Sequence, residues 1–277
     1  MKAAFDIQPD KEEIRNLHLL FEAGDHGISC CWFTKNPFDV KGIGVYNFPL
    51  LADDTEKARE LELILQAEPV FATNTLSTSI CYNFRESMPV PAEYYKPGSE
   101  KEMLSFLFDS GAECKLRCDE VAGKGINIMY SVNRKIDSVI TRRFPDAAIF
   151  HASSRQLTIE TPAGDELHCI VFHNMIKVIL FKSGMLQLLQ YFNYAGTTDV
   201  AYHLLNCCNW YDLSPDLVKL RICGLIDTGS LLYNELYKYF SQINFIESGS
   251  EIKLHDRIKN YPAHYFSHLT SLLPCES

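Results

Sequence analysis

The sequence predicts an α/β protein of two β-β-β-α-β-α halves, each with a mixed sheet covered by helices. Three observations carry this. Short β-branched and aromatic runs come in threes, joined by tight polar turns, over residues 17–48 and again over 167–194. After each triplet, apolar residues at helical spacing alternate with short buried-type runs. The length of 277 residues is comfortable for two domains, each able to bury a core without staples.

In the first half, residues 17–22 and 28–33 flank the turn Gly24-Asp25-His26-Gly27, a hairpin signal. After Lys35-Asn36-Pro37, residues 40–48 read as a third strand, with glycines at 42 and 44 marking a bulge or close contact. Asp53 and Glu56 have capping-box spacing ahead of Ala58, Leu61, Ile64 and Leu65, which share one helical face. Residues 78–84 read as a strand. The proline-rich stretch 88–97 reads as a loop, since prolines interrupt regular hydrogen bonding. Ser99 and Glu102 repeat the capping-box spacing before Met103, Leu104 and Leu107, which predicts a helix. Residues 114–121 and 125–130 are expected as strands on either side of Gly123. Val132, Ile136, Val139 and Ile140 form a helical stripe ending near Pro145, and residues 147–151 read as a short strand. A polar segment with Pro162 and Gly164 divides the halves, placing them at 1–162 and 163–277.

The second half restarts the order. Residues 167–172, 176–181 and 185–194 read as strands, with turns at His173-Asn174 and Lys182-Ser183-Gly184. Val200, Ala201, Leu204, Leu205 and Cys208 mark a helix over 198–210, Ser214-Pro215 ends it, and residues 217–223 read as a buried strand. The loop 224–229 leads to a helix carrying Leu232, Leu236, Tyr239 and Phe240, and residues 243–246 are extended. Residues 252–273 are expected to form a helix packed on one half. The repeat lies in the order of elements and not in residue identity.

Composition excludes several classes. Hydrophobic residues at 47% and charged residues at 22% are globular values, against long disorder or a fibrous chain. A formal charge of −9 provides no general attraction for phosphate backbones or anionic lipid, so nucleic acid is not an expected partner. Arg142-Arg143, with Arg134 and Lys135 upstream, reads as a solvated helix face. No run approaches ~18 apolar residues, so no membrane span is expected. The first residues lack the apolar core of a signal peptide, so the ten cysteines are expected as reduced thiols in a cytoplasmic protein.

The element order, twice in one chain, resembles the actin-like ATPase superfamily of duplicated ribonuclease-H-like domains. The segments Ile170-Val171-Phe172, Phe181-Lys182-Ser183-Gly184, Asn193-Tyr194 and Cys223-Gly224 are more closely similar to an uncharacterised family of actin-like proteins from Bacteroidetes. The superfamily resemblance implies a nucleotide cleft between the halves, with ATP and Mg as the implied cofactors and ATP hydrolysis as the implied activity. In its active members the first hairpin turn carries an acid, a glycine and a hydroxyl, and the matching second turn carries an acid with a glycine cluster. Backbone N–H groups must approach phosphate without an intervening Cβ, and a carboxylate must hold Mg²⁺ or orient water. Here the first turn keeps Glu22, Gly24 and Gly27, with Asp25 where a hydroxyl is expected. The second, His173-Asn174-Met175, has no glycine, carboxylate or hydroxyl. The loop carrying Gly224, Gly229 and Ser230 resembles the adenosine-side turn without its paired glycines, with room for a flat ligand at a helix start.

Each of these residues has a structural reading too. Gly24 and Gly27 suit any tight hairpin, and Thr228 or Ser230 would cap a helix with or without ligand. His264 and His268 stand four apart, a spacing at which two imidazoles can share a metal on a helix, but no third ligand accompanies them and no metal is predicted. Cys114 and Cys118 fall on one side of a strand, while Cys30-Cys31 and Cys207-Cys208 are expected to place one thiol inward each. The aromatic residues Tyr191, Phe192, Tyr194, Tyr202, Trp210 and Tyr211 read as core and rim, able to line a partner surface. The functional expectation is a non-enzymatic interaction or scaffold protein with an unidentified protein partner and a degenerate nucleotide site. The alternative is an ATP-binding protein or slow ATPase.

Overall fold

The computed structural model describes residues 3–50, 52–109, 113–159 and 162–273. The chain forms two compact units, one of Met1–Ile159, Ser250–Lys259 and Leu272–Ser277, the other of Glu160–Gly249 and Asn260–Ser271.

The first unit begins with β1 (Ala3–Ile7), β2 (His18–Gly24), β3 (Gly27–Thr34) and β4 (Asp39–Asn47). Helices α1 (Asp54–Ala67) and α2 (Pro69–Ala72) lead to β5 (Ser77–Asn83) and β6 (Ser87–Pro91). Then follow α3 (Glu100–Ser105), β7 (Cys114–Val121), β8 (Ile126–Asn133), α4 (Arg134–Arg143), β9 (Ala148–His151) and α5 (Ala152–Ile159). The main sheet runs β1-β4-β3-β2-β5-β9, with β2 antiparallel to β3 and parallel to β5. Residues 19–24 of β2 are all buried, as a central strand covered on both faces requires. Phe21, Trp32, Phe71 and Phe144 meet in the core with ring centroids 5.3–6.0 Å apart.

The second unit repeats the order: β10 (Glu166–Val171), β11 (Met175–Lys182), β12 (Met185–Asn193), α6 (Thr197–Trp210), β13 (Lys219–Gly224), α7 (Leu231–Leu236) and β14 (Ile243–Phe245). Its sheet is β12-β11-β10-β13-β14, antiparallel across the first three strands and parallel from β10 to β14. The same arrangement appears in the first unit as β4-β3-β2-β5-β9. Val171, Val178, Leu180, Val200, Leu204, Leu220 and Leu236 form the core of this unit.

Five expectations are corrected. Residues 88–91, read as part of a loop over 88–97, belong to a strand, because β6 is an edge of the small sheet β6-β8-β7, where a proline's missing N–H costs nothing on the open side. Ser99 does not cap α3; its hydroxyl turns back to the Lys96 carbonyl at 2.7 Å. Val132 belongs to β8 and not to the helix after it. Residues 252–273 are not one helix. They comprise β15 (Lys253–Leu254), which joins β4 in parallel, a 3-10 turn at Ala263–Tyr265 and the short α8 (Ser267–Thr270). The thiols of Cys30 and Cys31 are both buried because β3 is covered on both faces, and those of Cys207 and Cys208 because both positions fall on the side of α6 that packs into the core. The described cysteines are all free. Among the described residues no helix is long and apolar enough to cross a membrane.

Candidate functional site

Gly24 and Gly27 face each other across the two-residue turn Asp25-His26 that joins β2 to β3. A Cβ on Gly24 would stand 2.5 Å from the Asn83 carbonyl oxygen and 2.8 Å from the His26 ring. Glycine here lets the end of β5 and the His26 imidazole close over the turn. Glu22, two residues in from Gly24 on the buried strand, accepts 2.8 Å from Asn83 Nδ2 through Oε1, and its Oε2 lies 3.5 Å from His26 Nε2. All three side chains are at most 2% exposed. The carboxylate sits in a buried polar cluster with an amide and an imidazole. Burial raises the Cys30 thiol well above its ordinary range, and the neighbouring Cys31 and Glu22 push it further, so it stays protonated beneath the turn.

Asp25 is held on both carboxylate oxygens. Lys57 of α1 donates to Oδ1 at 2.9 Å, and the Arg85 backbone N–H donates to Oδ2 at 2.9 Å. This turn borders a cavity of about 100 Å³ lined in part by Lys57, Glu86, Cys114, Ser131 and Asn133. Ligand pockets for organic molecules run to about 300–1,000 Å³, so this space suits solvent and not a nucleotide.

The corresponding turn of the second unit is built differently. The Phe172 N–H donates to the Met175 carbonyl at 2.9 Å across His173-Asn174, and the Tyr194 hydroxyl donates to the Phe172 carbonyl at 2.6 Å. Burial, with Cys169 nearby, pushes the Tyr194 phenol up to about 12, which keeps it a donor. The edge of the His268 ring meets Phe172 with centroids 5.3 Å apart.

Gly224 ends β13 at φ +90°, and a Cβ there would stand 2.2 Å from the Val171 carbonyl oxygen, so strand packing demands the glycine. The following loop is self-bonded. Asp227 Oδ1 accepts from the Gly229 N–H at 2.8 Å, and Ser230 Oγ accepts from the Tyr233 N–H at 3.1 Å as the cap of α7. Part of the chain's last segment lies on this loop. Tyr265 donates to Asp227 Oδ2 at 3.1 Å, and His264 Nε2 is 2.5 Å from the Ile226 carbonyl oxygen while its ring stacks on Phe245 at 3.9 Å. His264 and His268 occupy different short elements, and no group of three or more metal-ligating side chains occurs among the described residues.

Glu22, Gly24 and Gly27 are thus one cluster in the first unit; Gly224, Gly229 and Ser230 are one loop in the second. Sequence reasoning missed Asn83 and Lys57 and named Tyr194 only as an aromatic of the core and rim; the side chains of all three hold the turns from distant positions. It named His26 without a role. Asp227 was readable, since Asp-x-Gly-Ser before a helix is an Asx-turn pattern.

The strand order shared by the two sheets, with a hairpin turn at the head of each, defines an actin-like ATPase fold. The chain belongs to the family described as "Protein of unknown function (DUF3822)", whose model matches residues 7–243. Among solved structures, a Bacteroides thetaiotaomicron protein with actin-like ATPase fold and unknown function matches at TM-score 0.75 and 13% identity, covering 96% of this chain and 99% of that one. The PilM–PilN type IV pilus biogenesis complex matches at TM-score 0.59 and 13% identity, covering 95% and 98%. At such identity these likenesses speak for fold alone. They agree with the actin-like Bacteroidetes family expected from the second-half segments. No curated protein matches the chain in sequence.

Proposed function

We propose that this chain is a non-enzymatic actin-fold protein that acts by binding a protein partner. The observation that carries the reading is the second hairpin turn, whose residues His173-Asn174-Met175 include no glycine, carboxylate or hydroxyl and where the Phe172 N–H is already donated to the Met175 carbonyl. A triphosphate needs free backbone N–H groups at such a turn. Engagement of Glu22 by Asn83 and His26 supports the same reading, since a carboxylate so occupied must be released before it can serve Mg²⁺ or water. One fold relative is known as a protein complex, PilM with PilN, which makes partner binding a reasonable task for this architecture. Purified chain is expected to hydrolyse no ATP above background. Turnover that vanishes in Glu22→Ala would defeat the reading.

A second reading, an ATP-binding protein or slow ATPase using Glu22, Gly24, Gly224 and Gly229, is favoured by the surviving acid and glycines of the first turn. Calorimetry and thermal shift with millimolar Mg-ATP separate the two. No signal in either removes the second reading, and saturable heat supports it.

A further inference from the structure

The first unit holds a larger cavity at the end of its sheet opposite the hairpin turn. The starts of the parallel strands β2 and β5, the loop between α2 and β5 and the end of α4 enclose about 300 Å³. β2 spans seven residues, so this space lies about 20 Å from Gly24 and takes no part in the chemistry of that turn. Its volume stands at the lower end of the range for organic ligands.

The floor is apolar and fixed. Leu19, Val70, Phe71 and Phe144 are buried, and Phe71 and Phe144 both pack on Phe21, with ring centroids 6.0 and 5.3 Å away. The wall carries one charge of each sign. Arg143 closes α4, and its guanidinium is held without a carboxylate: it donates to the Phe71 carbonyl, lies 3.4 Å from Asn74 Oδ1 through Nη1, and covers the Phe144 ring at 5.0 Å. A carbonyl, an amide and a ring fix the guanidinium plane but leave its charge uncompensated. Burial pushes Arg143 below its ordinary value, so the cation is partly stripped of water. Asp146 follows in the turn that the Ala147 N–H closes on the Phe144 carbonyl at 3.3 Å. It also lines the cavity, and among the described residues no cation pairs with it.

We propose that this cavity binds a free aliphatic α-amino acid, its carboxylate on Arg143, its ammonium on Asp146 and its side chain on the floor of Leu19, Val70, Phe71 and Phe144. Opposite charges three residues apart on one wall match a ligand whose carboxylate and ammonium share one carbon. A guanidinium has five N–H donors in a rigid fork, so those not given to Phe71 and Asn74 remain for a carboxylate. Other small ligands fit less well. Phosphate or a dicarboxylate brings a second negative charge towards Asp146, an aliphatic amine leaves Arg143 uncompensated, and the last residue of a peptide has no ammonium. The site is additional to partner binding and does not depend on it.

Calorimetry of the full chain with L-leucine, L-isoleucine and L-valine tests this. Saturable heat is expected from at least one of them below about 10 mM. N-acetyl-L-leucine, which lacks the ammonium, and isoamylamine, which lacks the carboxylate, should each bind at least about tenfold more weakly. Asp146→Asn should raise the amino-acid dissociation constant at least about tenfold while the thermal midpoint stays unchanged, since Asp146 is exposed and unpaired. Arg143→Lys should do the same by losing the fork; if it also lowers the midpoint, Asp146→Asn decides. Silence from all three amino acids, equal binding of N-acetyl-L-leucine, or an affinity indifferent to Asp146→Asn overturns the proposal. None of these outcomes bears on the Mg-ATP test, which reads the other end of β2.

Discussion

A methyl group on Gly27 would stand 2.1 Å from the Tyr46 carbonyl oxygen, and one on Gly224 would stand 2.2 Å from that of Val171, both at positive φ. Neither neighbour can move without breaking a sheet, so Gly27→Ala and Gly224→Ala should each cost roughly 2–4 kcal/mol in urea unfolding, with or without nucleotide. At Gly229 the nearest atom to an added Cβ is Asp227 Oδ1 at 3.3 Å, so Gly229→Ala should stay within about 1 kcal/mol of wild type. A second residue-scale test concerns Asp137. Burial alone would raise its carboxyl, but hydrogen bonds from Tyr82 at 2.9 Å and from Lys115 and Arg117 at 3.1 Å outweigh burial and hold it below the usual range. A depressed carboxyl contributes stability that is full above its unfolded pKa and is lost as pH falls through the folded one. Asp137→Asn should therefore cost roughly 1–3 kcal/mol at pH 7 and distinctly less near pH 3, read from unfolding curves at both pH values. The partners of Gly27, Gly224 and Asp137 all lie far from them in sequence. Glycine at 24, 27, 224 and 229 was readable as a list, but which of them a backbone oxygen demands was not.

Among the elements, α1 was the most readable. Asp53 accepts from the Thr55 and Glu56 N–H groups at 2.8 Å, and Glu56 returns to the Asp53 N–H at 3.1 Å, the reciprocal box its spacing implied. Asp53→Ala should cost about 1 kcal/mol and lower the thermal midpoint by roughly 2–4 °C in calorimetry. Ser99 has the same spacing before α3 and forms no box, because its backbone is helical (φ −84°, ψ −3°) where a cap is extended, and its hydroxyl turns back to the Lys96 carbonyl. Spacing proposes a cap; the chain before it decides. The strand β6 shows the same limit, for two prolines in five residues argue against a strand until an edge position makes their missing donors harmless. Arg142 and Arg143 divide likewise: Arg142 is a solvated pair with Glu62, while Arg143 donates to the Phe71 carbonyl and lies over the Phe144 ring at 5.0 Å.

In the whole molecule one strand order is used twice with different chemistry at the turns. The first unit keeps an acid and glycines at its hairpin, though His26 and Asn83 occupy them; the second keeps hydrophobic and aromatic groups closed by Tyr194. Periodicity and turn residues by themselves determined the α/β class, the two triplets of strands and most helices, because these depend on neighbours within a few residues. They also determined which residue types the second turn can offer, His173-Asn174-Met175 with no glycine, carboxylate or hydroxyl, since absent residue types cannot be restored by folding. Only the tertiary structure decided that Ser250–Lys259 returns to the first unit through β15, that Asn83 and Lys57 hold the first turn, and that β1 closes the edge of β4. Each of these joins residues tens or hundreds of positions apart. Such pairings are set by burial and hydrogen-bond completion over the whole fold, which no local pattern encodes.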